Sequence, residues 1–311
     1  MTGHQHTHTH HTHTHTHSHG HGHGHGHGDA EDFDWASFGP VLEQSADLHT
    51  PVVEQAAEWL RGLLTGAVRR ALDVGSGPGG AACLFARAFP EAEVVAVDGT
   101  PELLALARDR AARLGVADRV RTHLADLPDG LAGAGEAELI WASKSVHHLG
   151  DQQGALNRLA AALRPGGVLA VAEGGLQPRV LPRDIGIGRP GLLTRLDAAQ
   201  EEGYADMRAG LPGAEETVED WPAMLTAAGL TGARSKSFLL DLPAPLDPPA
   251  RRFLHAELAR LAERLADRLD ATDRATLDRL LDPDDEAGVL RRSDVFWLSA
   301  TTVHAAVRPA D

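Results

Sequence analysis

The chain has 311 residues and a formal net charge of −15, with 42% hydrophobic and 23% charged residues. This length suits one large domain or two small ones. Phosphate binding needs a basic surface, so nucleic acid is not expected as the main partner, although a basic patch inside one cleft stays open. No run of about 18 apolar residues occurs, so we expect no membrane-spanning helix and no membrane partner.

Cys83 is the only cysteine, which excludes an intramolecular disulfide and favours a reducing compartment. The first residues lack the basic start and apolar stretch of a secretion signal. Lysine occurs only at Lys144 and Lys236, whereas arginine and alanine abound, a bias typical of GC-rich bacterial genomes. We therefore expect a bacterial cytoplasmic protein.

Residues 1–30 are dominated by histidines that alternate with Thr or Gly from His4 to His27. Such a tract has no apolar face, so we expect a disordered tail ahead of one domain at 31–311. Imidazoles at this density bind Ni, Zn or Cu. The tail is interpreted either as a metal-sequestering or metal-sensing arm or as a tolerated low-complexity tail or purification aid. The second interpretation is favoured, with any divalent metal adventitious and no catalytic metal site expected.

Two helices are predicted over residues 31–66. Thr50-Pro51 is a helix start in which a capping side chain precedes a proline at the first helical position. Apolar residues then recur at helical spacing, which predicts one buried stripe on this helix. Its members are Val53, Ala56, Ala57, Leu60, Leu63 and Leu64. A helix placed before the first strand can also cover a ligand.

Strands and helices then alternate. The predicted strands are Ala71–Val74, Glu93–Val97, Val120–Leu124, Glu138–Ala142 and Val168–Ala172. They are near-continuous apolar runs, as expected for a parallel sheet covered on both faces. The pattern predicts an α/β, doubly wound, Rossmann-like fold with a mostly parallel seven-stranded sheet and an antiparallel last strand. Right-handed crossovers place the carboxyl ends of the parallel strands on one edge.

Beyond Glu173 the alternation loosens. Residues 176–215 include a predicted helix at 192–208 and form a candidate substrate cap, and residues 245–292 form a helical insert between two final strands. An apolar stripe runs along that insert, through Leu254, Leu258, Leu261, Leu265 and Leu269. It is interpreted either as packing on the domain or as the face of a homodimer.

A glycine-rich stretch, Gly75-Ser-Gly-Pro-Gly-Gly80, follows the first strand directly. Its spacing fits a dinucleotide loop, G-x-G-x-x-G, and also the G-x-G-x-G of S-adenosylmethionine (SAM) sites. Pro78 removes a backbone N–H that would bind a pyrophosphate, a loss that is harmless for SAM, which has no phosphate. Asp126 ends the third strand, where a carboxylate can accept a hydrogen bond from an adenine amino group. Together with the turn at 163–169, these features favour SAM.

The chain resembles the class I SAM-dependent methyltransferases, in particular the group with ubiquinone- and menaquinone-pathway and natural-product enzymes. The matching pieces, between about residues 71 and 230, are LDVGSGPGG, VVAVDGTPELL, ADLPD, WASKSVHHL, LRPGGVLAVAEGG and EDWPAMLTAAGL. The resemblance implies methyl transfer from SAM to a small-molecule acceptor by in-line displacement. It is nearly silent on the acceptor.

The resemblance also implies the roles of individual residues. Those expected to bind the cofactor are Asp73, Gly75, Ser76, Gly77, Gly79, Asp98, Gly99, Ala125, Asp126, Leu127, Ala142 and Ser143. The glycines admit the methionine part of SAM, and Asp73 orients the loop or bonds the amino group. Asp98 accepts the ribose hydroxyls, and Asp126 with its two neighbours frames adenine. Ala142 and Ser143 lie beside the amino group and the sulfonium.

Three residues are candidates for deprotonating the acceptor: His147 and His148 beyond the fourth strand, and Glu173 at the end of the fifth. The alternative for the histidines is a backbone hydrogen bond and simple packing. The scarcity of aromatic residues favours a small apolar acceptor with an oxygen nucleophile, with nitrogen and carbon left open. Two other functions are weighed. One is an NAD-dependent reductase, although this chain lacks a Tyr-x-x-x-Lys pair. The other is a non-enzymatic metal-binding protein that uses the tail.

Overall fold

The computed structural model of the chain describes residues 38–127 and 129–310, and a seven-stranded sheet runs through its centre. The histidine tract lies outside the described residues. The strands are β1 (Arg70–Val74), β2 (Glu93–Asp98), β3 (Val120–Leu124), β4 (Ala137–Ser143), β5 (Leu163–Arg179), β6 (Thr231–Leu242) and β7 (Trp297–Val307).

The strand order is β3-β2-β1-β4-β5-β7-β6. Strands β1 to β5 pair in parallel, while β7 is antiparallel to both of its neighbours. The predicted doubly wound, mostly parallel sheet is therefore confirmed. The direction of winding reverses between β1 and β4, and at such a switch point the carboxyl ends of the strands open a crevice.

Helices cover both faces of this sheet. They are α1 (Gly39–Leu48), α2 (Thr50–Arg61), α3 (Gly80–Ala88), α4 (Pro101–Arg113), α5 (Gln152–Ala161), α6 (Leu192–Gly210), α7 (Trp221–Ala227), α8 (Pro248–Arg264) and α9 (Ala271–Leu281). Successive side chains of a strand point to opposite faces, so Ile140 and Trp141 enter two different apolar cores. Burial on both faces explains why these strands are apolar throughout.

Two helix ends follow the local chemistry of the sequence. Helix α4 is stopped by Gly115, whose φ of 70° allows the N–H of Val116 to donate to the Ala111 carbonyl at 2.9 Å. Helix α7 is capped by Asp220, whose carboxylate accepts from the Ala223 N–H.

The predicted cap at Thr50 is wrong. Thr50 is already inside α2, and its hydroxyl donates to the Ala46 carbonyl at 3.1 Å. Helix α1 runs almost directly into α2, so the Thr50 hydroxyl finds an acceptor in the preceding turn.

Strand β5 is much longer than predicted. The stretch expected to form a tight turn, 163–169, begins the strand with a bulge: Leu163 pairs with Ala137, and the next pair is Val168 with Leu139. The strand also continues past Glu173 to Arg179, because Leu176 and Arg179 still pair with β7. The candidate cap therefore begins about four residues later than its predicted start.

The helical insert packs on the domain. In α8, Leu254 and Leu258 are buried in the same core as Trp141, and so are Leu265 and Leu277 farther on. Burial within the chain accounts for the apolar stripe, so the stripe gives no support to a dimer. Among the described residues, no helix is both long enough and apolar enough to cross a bilayer.

Candidate active site

The glycine-rich bend joins β1 to α3 at the crevice. Gly75 and Gly79 have φ of 69° and 72°, values that favour glycine. A Cβ on Gly75 would lie 2.5 Å from the Ser145 Cβ, and one on Gly79 would lie 2.6 Å from the Ala107 Cβ. The bend is thus wedged between α4 and the segment after β4, and both glycines are required by close packing.

Asp98, the last residue of β2, organises this bend. One carboxylate oxygen accepts the Gly77 N–H at 2.8 Å, and the other accepts the Thr100 N–H at 2.9 Å. Gly77 also has positive φ, and a Cβ there would meet no atom within 4 Å. The hydroxyl of Ser76 is buried without a hydrogen-bond partner among the described residues. The bend therefore presents open space and an unsatisfied hydroxyl.

Asp73 lies beneath the bend. It is only 2% exposed, and its carboxylate accepts the Ala82 N–H of α3 at 2.8 Å. Burial raises the pKa of Asp73 to about 7, and the nearby charge of Asp98 acts in the same direction. The structure shows a contact by which Asp73 orients the loop, and this carboxylate is enclosed by the fold.

The third acidic strand end adjoins the second. A Cβ on Gly99 would lie 3.2 Å from an Asp126 carboxylate oxygen, and the Ala125 N–H donates to the Asp98 carbonyl at 3.0 Å. Asp126 is exposed, whereas Leu127 is partly buried against the core. These contacts bring together the residues predicted to hold ribose and adenine.

Glu173 connects β5 to the segment that follows β4. One of its oxygens accepts the N–H groups of Ser145 and Val146, both at 3.1 Å, and the other lies 2.8 Å from His147 Nδ1. Glu173 is 5% exposed. Since a carboxylate only accepts, Nδ1 carries the proton, and Nε2 of the neutral ring is left as an acceptor. Ala142 and Ser143 end β4 immediately before this segment.

The two candidate histidines differ in their surroundings. Their ring centroids lie 4.2 Å apart, but Glu173 hydrogen-bonds only His147. Burial lowers the pKa of His148 to about 4, helped by the neighbouring His147, so His148 is neutral at pH 7. His147 is the one held by a carboxylate.

Helix α6 covers this part of the crevice. Near its end, the Arg208 guanidinium donates to the carbonyls of His147, Leu149 and Gly150 at 2.6–3.2 Å. Tyr204 lies one turn earlier, 5.8 Å from the His147 ring. The tyrosine is half-buried, and neither Tyr204 nor Arg208 carried a local signal in the sequence.

Helix α1 closes the crevice from the other side. A Cβ on Gly80 would lie 2.6 Å from the Ala46 Cβ, so α1 packs against the start of α3. Arg110 of α4 pairs with Asp47 of α1, and Arg113 of α4 pairs with Glu43 of α1. Helix α1, ahead of the first strand, thus lies beside the start of α3.

The structure places every predicted site residue at this one edge of the sheet, Asp73 beneath it and the others around it. Sequence reasoning missed Ser145, Lys144 and Arg208. Of these, only Lys144 carried a signal, since it is one of two lysines in the chain. Among the described residues, no three histidine, cysteine or acidic side chains cluster closely enough to hold a metal ion.

Comparison with known proteins matches residues 71–167 to a family described as a methyltransferase domain. A trans-aconitate 2-methyltransferase of Methylobacterium radiotolerans is 40% identical over 118 residues, 37% of this chain and 42% of that protein. The 27-O-demethylrifamycin SV methyltransferase of Amycolatopsis mediterranei is 31% identical over 132 residues, 41% of this chain and 48% of that protein. The chain thus spans less than half the length of either relative.

Among solved structures, an O-methyltransferase family protein of Burkholderia thailandensis is 14% identical to this chain, with a TM-score of 0.48. The superposition covers 85% of this chain and 57% of that protein. The family match, over residues 71–167, includes the bend, the acidic strand ends and the segment after β4.

Proposed function

We propose that this chain, whose residues 71–167 match a methyltransferase-domain family, is a class I SAM-dependent methyltransferase that transfers the methyl group of SAM to an oxygen of a small-molecule acceptor. One observation carries the proposal: the glycine bend, Asp98 and Asp126 meet at the switch point of the sheet. SAM supplies a methyl group already activated by the sulfonium, so the protein has mainly to align the acceptor with it.

The bend fits the methionine part of SAM. The space over Gly77 would be filled by any side chain there, and the Ser76 hydroxyl lacks a partner among the described residues. A buried unpaired hydroxyl is costly, so a polar ligand group that pairs with it stabilises the site. Ala142 and Ser143, at the end of β4, would lie beside the amino group and the sulfonium.

Asp98 would hold the ribose. A carboxylate has about four acceptor positions, and the N–H groups of Gly77 and Thr100 take two of them. The other two suit a pair of adjacent hydroxyls. Asp126, with Ala125 and Leu127, would frame the adenine beside Gly99.

The test of this cofactor site is Asp98→Ala. Hydrogen bonds to a charged group contribute roughly 1.5–3 kcal/mol, so we expect SAM to bind about tenfold to a hundredfold more weakly by calorimetry. The matched control is Asp109→Ala, an exposed aspartate of α4. Equal affinities for wild type and Asp98→Ala would remove Asp98 from the site.

We propose that His147 takes the proton of the acceptor hydroxyl. Glu173 fixes the ring and its tautomer, leaving Nε2 to accept, while Arg208 holds the carbonyl of the same residue. The name of the Amycolatopsis relative also refers to an oxygen atom. A screen of candidate metabolites with methyl-labelled SAM, followed by mass spectrometry, would identify the acceptor and the methylated atom.

A further inference from the structure

Lys144 occupies a strained place in the crevice. Its φ is 50°, and it is the single non-glycine residue with positive φ in ranges 38–127 and 129–310. Its N–H donates to the Ala172 carbonyl at 3.1 Å, which fixes this conformation between Ser143 and the N–H groups bound by Glu173. Non-glycine residues held in such a backbone conformation cluster at active sites and ligand clamps.

The Lys144 side chain is exposed at the crevice, just after β4. Solvent reaches the side chain, yet enough protein surrounds it that burial lowers the pKa of Lys144, against the opposing effect of the Glu257 and Glu173 carboxylates. In turn, burial first and the Lys144 charge second lower the pKa of His49 to about 4. Lys144 therefore lies near Glu173 of β5, Glu257 of α8 and His49, which joins α1 to α2.

Both nearby carboxylates already have partners. Glu257 accepts from the Arg260 guanidinium at 2.5 Å, and Glu173 binds two backbone N–H groups and His147. No hydrogen bond or ion pair to the Lys144 ammonium is formed by any residue that the structure describes. This cation lacks a counter-charge from the fold.

The surrounding charge adds to this imbalance. Arg264, on the same face of α8 as Arg260 and Glu257, has its pKa lowered by burial and by the Arg260 charge. His49 is neutral at pH 7 because its pKa is about 4. Glu257 thus lies near three cations, Lys144, Arg260 and Arg264, in a chain whose net charge is −15. An anion entering this space would be attracted.

We propose that the methyl acceptor is an organic acid and that Lys144 binds its carboxylate. The proposal rests on the proposed function and names the substrate class of that site. A single ammonium matches a singly charged carboxylate, and a charge-assisted hydrogen bond is roughly twice as strong as a neutral one. The carboxylate anchors the acceptor next to Ser143, with His147 on the same segment facing its hydroxyl.

The experiment uses amine acetylation of the full chain saturated with S-adenosylhomocysteine, with peptide mass spectrometry as the readout. The probes are small mono-, di- and tricarboxylic acids, each paired with its uncharged amide. Lys236 is the internal control, since it is the other lysine and lies exposed on β6 over the Phe238 ring. We expect at least one acid to slow Lys144 acetylation by about tenfold or more while its amide does not, from the strength of a charge-assisted bond. Absence of protection by every acid, or equal protection by the amides, would overturn the proposal.

Two variants of Lys144 extend the test. Both Lys144→Met and Lys144→Arg keep a Cβ at the strained position, so they differ mainly in charge. By calorimetry we expect Met to weaken binding of the protecting acid about tenfold or more, and Arg to keep most of it. If wild type binds S-adenosylhomocysteine but does not prefer any acid over its amide, only the proposed substrate class is contradicted. If wild type does not bind S-adenosylhomocysteine, the proposed function itself is contradicted. If Lys144→Met does not fold, protection of the wild-type lysine decides alone.

Discussion

The buried carboxylate of Glu173 makes hydrogen bonds to two groups: the backbone N–H groups after β4 and the ring of His147. A neutral amide separates these roles. In Glu173→Gln, the amide oxygen can still accept the N–H groups of Ser145 and Val146. Its NH₂ group, however, donates to His147 Nδ1, which moves the ring proton to Nε2 and removes the acceptor that a base needs.

We therefore expect Glu173→Gln to lower kcat about a hundredfold or more, the usual contribution of a general base, with cofactor affinity unchanged. Single-turnover assays with methyl-labelled SAM measure the first quantity and calorimetry the second. His148→Gln is the comparison, and it should have a smaller effect because Glu173 hydrogen-bonds the His147 ring and not the His148 ring. A kcat that survives Glu173→Gln would argue for a purely structural carboxylate.

Asp73 makes the stability of the ligand-free protein depend on pH. Its pKa is about 7 in the fold against an ordinary value of 3.8, so between these limits the native state binds more protons than the unfolded state. Stability from this group is therefore full below about pH 4 and is lost as the pH rises through 7. Each pKa unit corresponds to about 1.4 kcal/mol.

Asp73→Asn should flatten this dependence, since its amide oxygen still accepts the Ala82 N–H and carries no charge. We expect the melting temperature of wild type, relative to Asp73→Asn, to fall by several degrees between pH 5 and pH 8, at about 2–4 °C per kcal/mol. Thermal unfolding followed by circular dichroism measures it. Parallel curves for the two proteins would contradict a raised pKa.

At this scale the sequence predicts residues that act through their own backbone or strand end. Gly75, Gly79 and Asp98 were identifiable because the tight bend and the end of β2 fix them locally. Lys144 was not identifiable in this way. Its proposed role depends on the ammonium having no ion-pair partner on β5 or α8 among the described residues. Such a fact depends on residues more than 25 positions away and has no local signature.

Among the elements, α6 covers the part of the crevice beside His147, and it is anchored at both ends. Leu192 and Leu196 bury its start in the core, while Arg208 secures its end through three backbone carbonyls. The middle of the helix, around Tyr204, is mostly exposed. Removal of the second anchor should leave the first half of the helix in place and loosen the rest.

We expect Arg208→Gln to speed hydrogen exchange in residues 203–210 about tenfold, which corresponds to the loss of about 1.4 kcal/mol of local stability. Mass spectrometry of the exchanged peptides measures this, and S-adenosylhomocysteine affinity should not change. Arg268→Gln is the matched control, because Arg268 also contacts α6 but through the exposed Glu202 and Asp206, and such ion pairs are weak. Equal exchange in the two variants would show that Arg208 is no anchor.

Element boundaries were predictable where the signal was local. Gly115 ends α4 through its positive φ, and Asp220 starts α7 through its side chain. The errors came from partners distant in sequence. Thr50 looks like a cap until α1 supplies Ala46 as an acceptor, and β5 looks short until β7 pairs with Leu176 and Arg179.

For the molecule as a whole, the alternation of apolar runs and helices sufficed to predict a doubly wound sheet and the edge where its site lies. It did not reveal which face the helical insert would cover. Leu254 and Leu258 fit either a core or an interface, and only their burial beside the Trp141 core distinguishes the two. Apolar periodicity predicts that a face is buried and is silent on what buries it.

The position of β7 has a consequence for biosynthesis. This strand lies between β5 and β6 yet is the last described strand to leave the ribosome. A nascent chain that has emerged only to residue 296 has a gap in its sheet, with unpaired backbone groups on both sides of it. Until translation passes Val307, those open edges are exposed to association with other chains, and a chaperone that shields them would raise the yield of folded protein.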